Sequence, residues 1–506
     1  MAPFIRKVKT SSGATAVQIV EKRGGVRRIL THVGSAHTPA ELAMLLSAAH
    51  QQLRAGQDEL DLGLDAPAEA APGQARVVST SSLLLWQVLT DAYRVLGFEK
   101  LGDEAFGKLV LARIIEPTSK ADTVRVLQEI GIPAPHENTL YAALRRAQKR
   151  DYRGVLAKAC LAHSACTTGT GALVLYDVTT LHFENDEEDD LRKVGMSKEH
   201  RVDPQVQVGL LVDPSGFPLE VHLFEGNKAE TTTLIPVLTA FQQRHGVTDM
   251  VVVADAGMLS AGNLNSLEDA GFSFIVGSRL TKAPYDLADH FQRKGDYFKD
   301  GQILESTRVM GTGKHARPRR IVYQFSFKRS KRDNRNINLM IERAEKITTG
   351  QTPLRKARFV KITDATKELD QVTIDRARQL AGLKGYVTNL KPQVMDGAAV
   401  IAAYHDLWHV EDSFRLTKSD LRARPVFHHQ RDAIEAHLTV VFAALAIARY
   451  LTTVTGVSIR KLVRTLRPLR SVVIGIDGHQ LTADPTITPD ARQILDRLPT
   501  LSLAGH

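Results

Sequence analysis

Cysteine is scarce in this chain of 506 residues, which contains only Cys160 and Cys166. Two cysteines cannot form the disulfide framework of a secreted protein of this length, so we expect reduced thiols in a cytoplasmic protein. The N-terminal stretch MAPFIRKVKTSSG lacks the apolar segment of a secretory signal peptide. Long apolar runs are also absent, because the longest, Leu438–Ala448, is well short of the roughly 20 residues that span a bilayer. We therefore expect no membrane association.

Acidic residues are outnumbered by basic ones. Lys and Arg total 66 and Asp and Glu total 56, which gives a formal net charge of +10 at pH 7. This excess suggests a polyanionic partner. Apolar residues make up 43% of the chain and charged residues 24%, a balance that argues against a disordered protein. At roughly 100–200 residues per domain, the length predicts two to four domains.

Shifts in composition divide the chain into predicted segments. They are a β-hairpin and helix unit (1–60), a Pro/Ala/Gly-rich linker (61–76), a helical region (77–165), the two parts of an α/β core (170–280 and 381–455), a basic, strand-rich insertion between those parts (281–380) and a C-terminal tail (456–506). After Thr170 strands alternate with helices, which indicates a layered α/β fold.

The helical region contains a pattern typical of a helix-turn-helix. Helical segments at Thr123–Ile130 and Asn138–Arg150 flank a turn with two prolines, and the second segment carries Arg145 and Arg146. Such a motif can dock on DNA. Basic residues also favour helix C-termini for electrostatic reasons, so a purely structural role stays open.

Two aspartates directly follow predicted buried strands. Asp177 comes after ALVLY and Asp255 after MVVVA. The carboxyl ends of strands are where α/β sheets gather catalytic groups, and an acid placed there needs a cation or hydrogen-bond donors. A turn or helix-capping aspartate is the alternative for either residue alone.

A third acid, Glu411, lies on a predicted long helix that runs from residue 397 to residue 424. Its spacing from Tyr404, Trp408, Arg415 and Lys418 puts all five on one helical face. A surface ion pair with Arg415 is the alternative. Three carboxylates suit two Mg²⁺ ions, with Mn²⁺ as a substitute, and such ions can activate a water or a 3′-hydroxyl.

Together these motifs resemble the DDE transposases of bacterial insertion sequences, in the group with an inserted β domain. That group has the signature Tyr-x2-Arg-x3-Glu-x6-Lys, and here Tyr404, Glu411 and Lys418 are in register while Leu407 occupies the Arg position. Other segments that resemble the family are YDVTTLHFE (176–184), GLLVDPSGFPLEVHLFEGNKAE (209–230), ADAGMLS (254–260), LKGYVTNL (383–390) and RPVFHH (424–429).

The resemblance implies an RNase H-like core in which Asp177, Asp255 and Glu411 bind two divalent cations. Water would nick the transposon end, and the freed 3′-hydroxyl would attack target DNA. The helical region would recognise the terminal inverted repeats, and the insertion would help to hold the end DNA in a homodimer that pairs two ends. The protein would act in the bacterial cytoplasm, at the nucleoid. Arg415 is the nearest candidate to supply the charge missing at Leu407.

Several residues are candidates for contacts with double-stranded DNA. They are Arg145 and Arg146 in the helical region, Lys198 and Arg201 before the second core strand, Arg319, Arg320, Lys328 and Arg329 in the insertion, and Tyr404, Trp408, Arg415 and Lys418 near Glu411. Trp408 could stack on a displaced base or simply pack a helix, and loop cations could be solvated.

Two other functions compete with an active transposase. The sequence HDLWH from His405 to His409 approaches the H-E-x-x-H motif, in which two histidines on one helical face bind zinc in a protease. The other alternative is an inactive or impaired transposase copy that only binds DNA, and Leu407 in place of the signature Arg keeps this alternative open.

Overall fold

The computed structural model describes residues 3–9, 14–23, 26–36, 38–54, 75–168, 173–184, 187–195, 203–247, 249–258, 260–278, 287–295, 297–353, 357–362, 366–424, 426, 430–476 and 479–499. Most of the predicted linker at 61–76 lies outside them. The chain forms two compact units, Met1–Arg76 and Val77–His506. Each unit has its own hydrophobic core.

The first unit is a three-stranded antiparallel sheet with one helix. Its elements are β1 (Phe4–Lys9), β2 (Thr15–Arg23), β3 (Val26–Ala36) and α1 (Pro39–Arg54). The helix begins with a capping box, because the Glu41 N–H donates to Thr38 Oγ1 at 3.2 Å and the Thr38 N–H donates to Glu41 Oε2 at 3.3 Å. Val17 and Ile19 of β2 pack with Ala49 of α1 to form the core.

A mixed eight-stranded sheet lies at the centre of the second unit. Its strands are β5 (Leu173–His182), β6 (Gln205–Val212), β7 (Pro218–Glu225), β8 (Val251–Ala254), β9 (Ser273–Ser278), β10 (Ile303–Met310), β11 (Arg317–Phe325) and β14 (Leu383–Thr388), in the order β10-β11-β14-β9-β8-β5-β6-β7. β8 is parallel to both β5 and β9, and the other neighbours are antiparallel. The valine-rich β8 is almost wholly buried, as central parallel strands are.

Four helices and one short turn flank this sheet near the predicted catalytic residues. They are α7 (Glu230–His245), α8 (Ala261–Asp269), α12 (Gly397–His405), α13 (Trp408–Ser419) and the 3₁₀ turn Ala256–Met258. Helix α12 contacts β8, β9 and β14, whereas α13 contacts β5 and β6. The two helices therefore bring residues 397–419 to the middle of the sheet.

The segment 281–380, predicted to be strand-rich, contains more helix than strand among its described residues. Besides β10 and β11, it comprises α9 (Ala288–Lys294), α10 (Phe327–Thr348), β12 (Val360–Ile362), β13 (Lys367–Leu369), α11 (Gln371–Gln379) and a 3₁₀ turn at Gly313–His315. The strand-rich prediction is wrong because the basic stretch after Phe325 has helical periodicity, with Ile337, Ala344 and Ile347 buried on one face. Strands β10 and β11 extend the central sheet itself.

The N-terminal helices and the C-terminal residues of the second unit pack around one long helix, α14 (Arg431–Thr455). The other elements are β4 (Arg76–Ser81), α2 (Leu83–Val95), a 3₁₀ turn (Phe98–Leu101), α3 (Glu104–Ile115), α4 (Thr123–Glu129), α5 (Glu137–Lys149), α6 (Tyr152–Thr168), α15 (Ile459–Leu466), β15 (Ser471–Ile476), β16 (His479–Ala483) and α16 (Pro489–Leu495). Helix α14 contacts α2, α3, α5, α6 and α15, and β15 pairs with both β16 and β4.

Helix α14 is long and apolar enough, by length and composition alone, to cross a membrane. However, 83% of its most apolar window is buried inside the protein, as expected for the central helix of a folded core. The segment 456–506, predicted to be a tail, is joined through α15 and β15 to the helices at the start of the unit. The predicted helical region and the predicted tail thus share one compact unit with the central sheet.

Candidate active site

Asp177 lies within β5, which continues to His182, so the prediction that this acid ends its strand is wrong, whereas Asp255 directly follows β8. Leu175 of β5 is opposite Val253 of β8, and each aspartate follows two residues later. Continuing this register places the two aspartates side by side, with their side chains on the same face of the sheet. Because neighbouring strands are about 4.8 Å apart, two such carboxylates can share one cation. Strand β5 continues past Asp177 only through its pairing with β6.

Two donors hold one oxygen of Asp255. The Tyr404 hydroxyl donates to Asp255 Oδ1 at 3.0 Å, and the Ala256 N–H donates to the same oxygen at 2.6 Å. Burial, together with the carboxylates of Asp255 and Glu411, raises the pKa of Tyr404, so this phenol remains a donor at neutral pH. Tyr404 was predicted to contact DNA, but only 6% of it is exposed. In this structure it positions Asp255 instead.

The Tyr404 side chain reaches Asp255 because β9 carries a glycine at the point of contact. A Cβ atom at Gly277 would collide with the Tyr404 hydroxyl. The Tyr386 ring packs against Tyr404 at a centroid distance of 5.0 Å, and Lys384 Nζ lies 4.1 Å from the centroid of the Tyr404 ring. This distance is within the range of a cation–π contact.

Lys384 is a cation at the site that the sequence patterns did not identify. It lines the same cleft as Asp255 and Tyr404. Burial and the neighbouring charge of Arg329 lower the pKa of Lys384, whereas Asp255 acts in the opposite direction. Lys384 belongs to the segment LKGYVTNL, which resembles the family, but the sequence analysis did not single it out as a site residue.

The helix predicted to run from residue 397 to residue 424 is interrupted. Helix α12 ends at His405 and α13 begins at Trp408. The Leu407 N–H donates to the Tyr404 carbonyl at 3.2 Å, a bond that spans three residues instead of the four of an α-helix. Leu407 itself belongs to the main hydrophobic core. The position of the signature Arg is thus an apolar packing position at a helix junction.

Glu411 lies in the first turn of α13, where the positive end of the helix dipole favours a carboxylate. The charges of Asp255 and Glu411 both raise the pKa of Tyr404, so two acids from separate elements act on one hydroxyl. Helix α13 also packs against β5, the strand that carries Asp177. The structure thus brings together the three elements on which the predicted acids lie.

The carboxylates suit a hard divalent cation in their chemistry, since Mg²⁺ prefers oxygen ligands. The register of β5 and β8, which is paired as far as Leu175 and Val253, would bring Asp177 and Asp255 next to each other if it continued, as a shared cation requires. Within the described part of the chain, however, no group of three or more His, Cys, Asp or Glu side chains is close enough to hold a metal ion. Glu411 therefore does not form a ready-made three-carboxylate cluster with the two aspartates.

Arg449 of α14 anchors the helix that carries Glu411. Its guanidinium lies 2.8 Å from Asp412 Oδ2 and donates to the His409 carbonyl and to Ser413 Oγ, each at 2.9 Å. Ser413 Oγ in turn donates to the Gly216 carbonyl in the turn between β6 and β7 at 3.0 Å. A buried cation that is fully paired in this way fixes α13 to both the sheet and α14.

Two of the arginines predicted to contact DNA are structural. Only 1% of Arg319 is exposed, and its Nε lies 3.0 Å from Glu268 of α8. Arg320 pairs with Glu305 of β10 at 2.9 Å and donates to the Met395 carbonyl at 2.7 Å. The prediction of DNA contacts for this pair is wrong because β11 lies inside the sheet, so its alternating side chains point into neighbouring elements.

In the helical region, Arg146 is also structural. It makes a bidentate ion pair with Asp103, the N-cap residue of α3, at 2.8 and 2.9 Å. Tyr152 donates to the same carboxylate at 3.0 Å. Arg146 therefore ties α5 to α3, and a DNA contact by its partly exposed side chain stays a prediction. Arg145 is exposed.

Lys328 and Arg329, at the start of α10, lie beside clefts that lead to Asp255. One cleft, of about 430 Å³, is lined by Asp255, Lys384 and Arg329. A second, of about 520 Å³, is lined by Lys328, Arg329, Arg332 and Lys384. The two clefts share Arg329 and Lys384, and we call Lys328, Arg329 and Lys384 together the basic path beside Asp255.

The remaining candidates lie on or near α13. Trp408 is 55% exposed. Arg415 is exposed and forms an ion pair with Asp412, not with Glu411. Lys418 is partly exposed near the end of the helix. Lys198 and Arg201 lie outside the described residues.

The two histidines of HDLWH do not share a helical face. His405 ends α12 and lies 3.3 Å from the Tyr386 hydroxyl, whereas His409 belongs to α13. Burial lowers the pKa of both imidazoles. Since the motif requires one continuous helix and the described residues contain no metal-binding group of three, the zinc-protease hypothesis is wrong.

Comparison with known proteins gives a family match over the core. The family described as the transposase DDE domain matches residues 160–447, a range that includes Asp177, Asp255 and Glu411. Among solved structures, the chain is similar to piggyBac transposase in the cryo-EM structure of its synaptic complex with hairpin DNA. The identity is 10%, the TM-score is 0.39, and the match covers 76% of this chain and 79% of that chain. None of the curated proteins matches.

Proposed function

Because the chain belongs to the transposases with a DDE domain, we propose that it cuts the ends of an insertion sequence and joins the freed 3′-hydroxyls to target DNA. The observation that carries the proposal is the register of the parallel strands β5 and β8, which pairs Leu175 with Val253, two residues before Asp177 and Asp255 respectively. The hydroxyl of Tyr404, which bonds Asp255 and is influenced by Glu411, links the third acid to this pair.

In this proposal Asp177, Asp255 and Glu411 hold two Mg²⁺ ions, for which Mn²⁺ can substitute. When bound, such ions activate the attacking oxygen and stabilise the leaving oxygen of a phosphodiester. Tyr404 and the Ala256 N–H both bind Oδ1 of Asp255, which leaves Oδ2 as the oxygen available to a cation. Lys384 contributes a positive charge beside the scissile phosphate.

Completion of the site requires Glu411 to approach the two aspartates. Because Arg449 and Ser413 fix α13 to the sheet and to α14, this approach would be made by the Glu411 side chain and not by the helix. Bound divalent cations would supply the opposite charge that draws the three carboxylates together. The site would then be completed when its metal ions bind.

The partner in this proposal is double-stranded DNA, both at the terminal inverted repeats and in the target. The basic path through Lys328, Arg329 and Lys384 supports it, because guanidinium and ammonium groups neutralise backbone phosphates. We further propose a homodimer that pairs two ends, acting in the bacterial cytoplasm at the nucleoid.

The test is cleavage of labelled DNA that carries the ends of the element, with Mg²⁺ present. We expect Asp177→Ala, Asp255→Ala and Glu411→Ala each to lower the nicking rate by at least about 10³-fold while DNA binding is retained. Glu184→Ala, which changes an exposed acid after β5, is the matched control. Cleavage by all three variants at the parent rate would contradict the assignment.

An inactive or impaired transposase copy is the second candidate function. It is favoured by the absence of a metal-binding group of three among the described residues and by Leu407 in the core. In that case the parent protein would bind end DNA without cleaving it in either Mg²⁺ or Mn²⁺. Restoration of cleavage by Leu407→Arg would identify an impaired copy.

A further inference from the structure

We infer that a cleft lined by arginines at the far end of α13 binds the phosphate backbone of the DNA duplex that leaves the active site. This arginine cleft has a volume of about 900 Å³. Its arginines are Arg422, Arg460, Arg464, Arg467 and Arg470. The inference rests on the proposed function and specifies the path of the DNA beyond the scissile phosphate.

Charge is the first argument for this assignment. Five arginines line the arginine cleft, and its acids are Glu116 and Asp420. Both acids are already engaged, since Glu116 pairs with Arg467 at 2.9 Å and Asp420 pairs with Arg460 at 2.9 Å. The lining therefore keeps an excess of positive charge. A guanidinium suits a phosphate in particular because it can donate two parallel hydrogen bonds.

Arg464 and Arg422 have side chains that no other described residue engages. Arg464 is exposed on α15 and has no ion pair or hydrogen bond from its side chain within the described residues. The same is true of Arg422, which is also exposed. These two side chains serve no visible structural purpose, in contrast to Arg467, which joins Glu116 to Glu129.

The backbone of Arg422 is strained. Its φ is +43°, in the left-handed region that residues other than glycine rarely adopt. The Arg113 guanidinium donates to the Arg422 carbonyl at 3.4 Å and so helps to hold this conformation. A strained backbone that the surrounding structure maintains is often found where a side chain must be presented to a ligand.

A buried cation lies behind Arg422. Arg113 is only 8% exposed, donates to the Thr118 carbonyl at 2.8 Å, and its Nε is buried without a hydrogen-bond partner in the described structure. Lys120 lies nearby, with Nζ 2.9 Å from His437 Nδ1, and Arg113 contacts the same imidazole. No carboxylate of the described residues pairs with Arg113, so the charge that supports the Arg422 backbone from behind is positive and uncompensated.

The position of the cleft suits a duplex that is bound at the active site. Glu411 lies in the first turn of α13, and Ser419 at the end of the same helix lines the cleft. The rise along these eight residues is about 12 Å. At about 3.4 Å per base pair, the cleft is three to four base pairs from Glu411. A duplex that runs along α13 from the carboxylates would therefore reach the arginines.

The experiment measures how the affinity of the full-length protein for DNA depends on salt. The probe is a short fluorescein-labelled duplex of random sequence, which reports phosphate contacts without base recognition. The test variants are Arg464→Ala and the triple variant R422A/R460A/R464A. Arg492→Ala is the matched control, since Arg492 is an exposed arginine on α16 outside the cleft. Thermal unfolding of each variant checks the fold.

Three lost phosphate contacts should reduce the slope of log K against log salt concentration by about 2 to 3, and Arg464→Ala alone should reduce it by about 1. The control should match the parent. If both test variants keep the parental slope and the parental fold, the inference is overturned. The inference is also overturned if the cleft prefers a different ligand. In that case a single-stranded RNA or an acidic peptide would displace the labelled duplex from the parent but not from the triple variant.

Failure of the proposed function gives a different pattern. If the parent binds no duplex at any salt concentration, both the proposed function and this inference fail. If the parent binds and cleaves DNA, Asp255→Ala abolishes cleavage, and the triple variant binds as tightly as the parent, only the arginine cleft is excluded.

Discussion

At the scale of single residues, the signature tyrosine acts through a carboxylate. Tyr404 is buried between β9 and Lys384, and its hydroxyl is directed at Asp255 Oδ1. The charge that the signature Arg would supply has no counterpart at Leu407, which is part of the core. Lys384 is a cation that the tertiary structure places beside Asp255. We expect this lysine to take over part of the role of the missing Arg.

Tyr404→Phe tests the bond to Asp255 while keeping the packing of the ring. A hydrogen bond to a charged group contributes about 1.5–3 kcal/mol, so we expect the nicking rate to fall about 10- to 100-fold at unchanged DNA affinity. Tyr386→Phe is the control, because its hydroxyl contacts His405 instead of an acid. Equal effects of the two variants would contradict the positioning role of Tyr404.

At the scale of elements, a buried carboxylate joins β7 to α7. Glu220 of β7 is 1% exposed and lies 3.1 Å from His222 on its own strand. On α7, Arg244 and His245 are each 3.3 Å from the same carboxylate. Burial alone would raise the pKa of Glu220, but the neighbouring imidazoles of His222 and His245 and the charge of Arg244 lower it to about 2.

This shift predicts how stability depends on pH. The folded state stabilises the ionised form of Glu220 more than the unfolded chain does. The contribution of Glu220 to the free energy of unfolding is therefore complete above its ordinary pKa of 4.5 and is lost as the pH falls towards about 2. Glu220→Gln should remove about 3 kcal/mol at neutral pH and flatten this acid dependence. Urea unfolding at a series of pH values measures both effects.

The control for this prediction is Glu225→Gln, at the exposed end of the same strand. It should leave both the free energy of unfolding and its acid dependence close to those of the parent. If Glu220→Gln is as stable as the parent at pH 7, the ion cluster does not hold β7 and α7 together.

At the scale of the whole molecule, the second unit is closed by its two ends. Strand β15 pairs with β4, and Arg467 links to Glu116 and Glu129 at 2.9 and 3.1 Å. The Ser82 hydroxyl donates to the Arg467 carbonyl at 2.8 Å. The residues after α14 are therefore part of the folded core. They also carry four of the five arginines of the arginine cleft, which are Arg460, Arg464, Arg467 and Arg470.

A chain that ends at Gly456 tests this closure. It would lose Leu462, Leu466 and Leu469, which are all buried, and expose the surfaces of α2 and α3 beneath them. At about 2 kcal/mol for each leucine, the loss is comparable to the whole stability of a typical domain. We expect the truncated protein to be insoluble or to unfold without a cooperative transition, as measured by circular dichroism. A chain that lacks only residues 501–506 is the control. If the chain that ends at Gly456 melts at the same temperature as the parent, the prediction is contradicted.

Several features could be read from the sequence because they depend on local patterns. Short apolar runs marked β5 and β8, and each was followed by the acid that the structure places at the sheet. The break between α12 and α13 could not be read, because residues 397–424 have continuous helical periodicity and the junction depends on packing of Leu407. The burial of Arg319 was equally hidden, since a charged residue indicates exposure unless its partner, Glu268, is known.

The sequence by itself determined the family resemblance, the apolar runs and the acids that follow them, because these properties reside in neighbouring residues. Only the tertiary structure decided which side chains meet. It placed Tyr404 on Asp255 across Gly277, and it assembled the arginine cleft from residues as distant in sequence as Ile114 and Arg470. The physical reason is that periodicity encodes the burial of one face, whereas contacts between separate elements depend on how those buried faces pack.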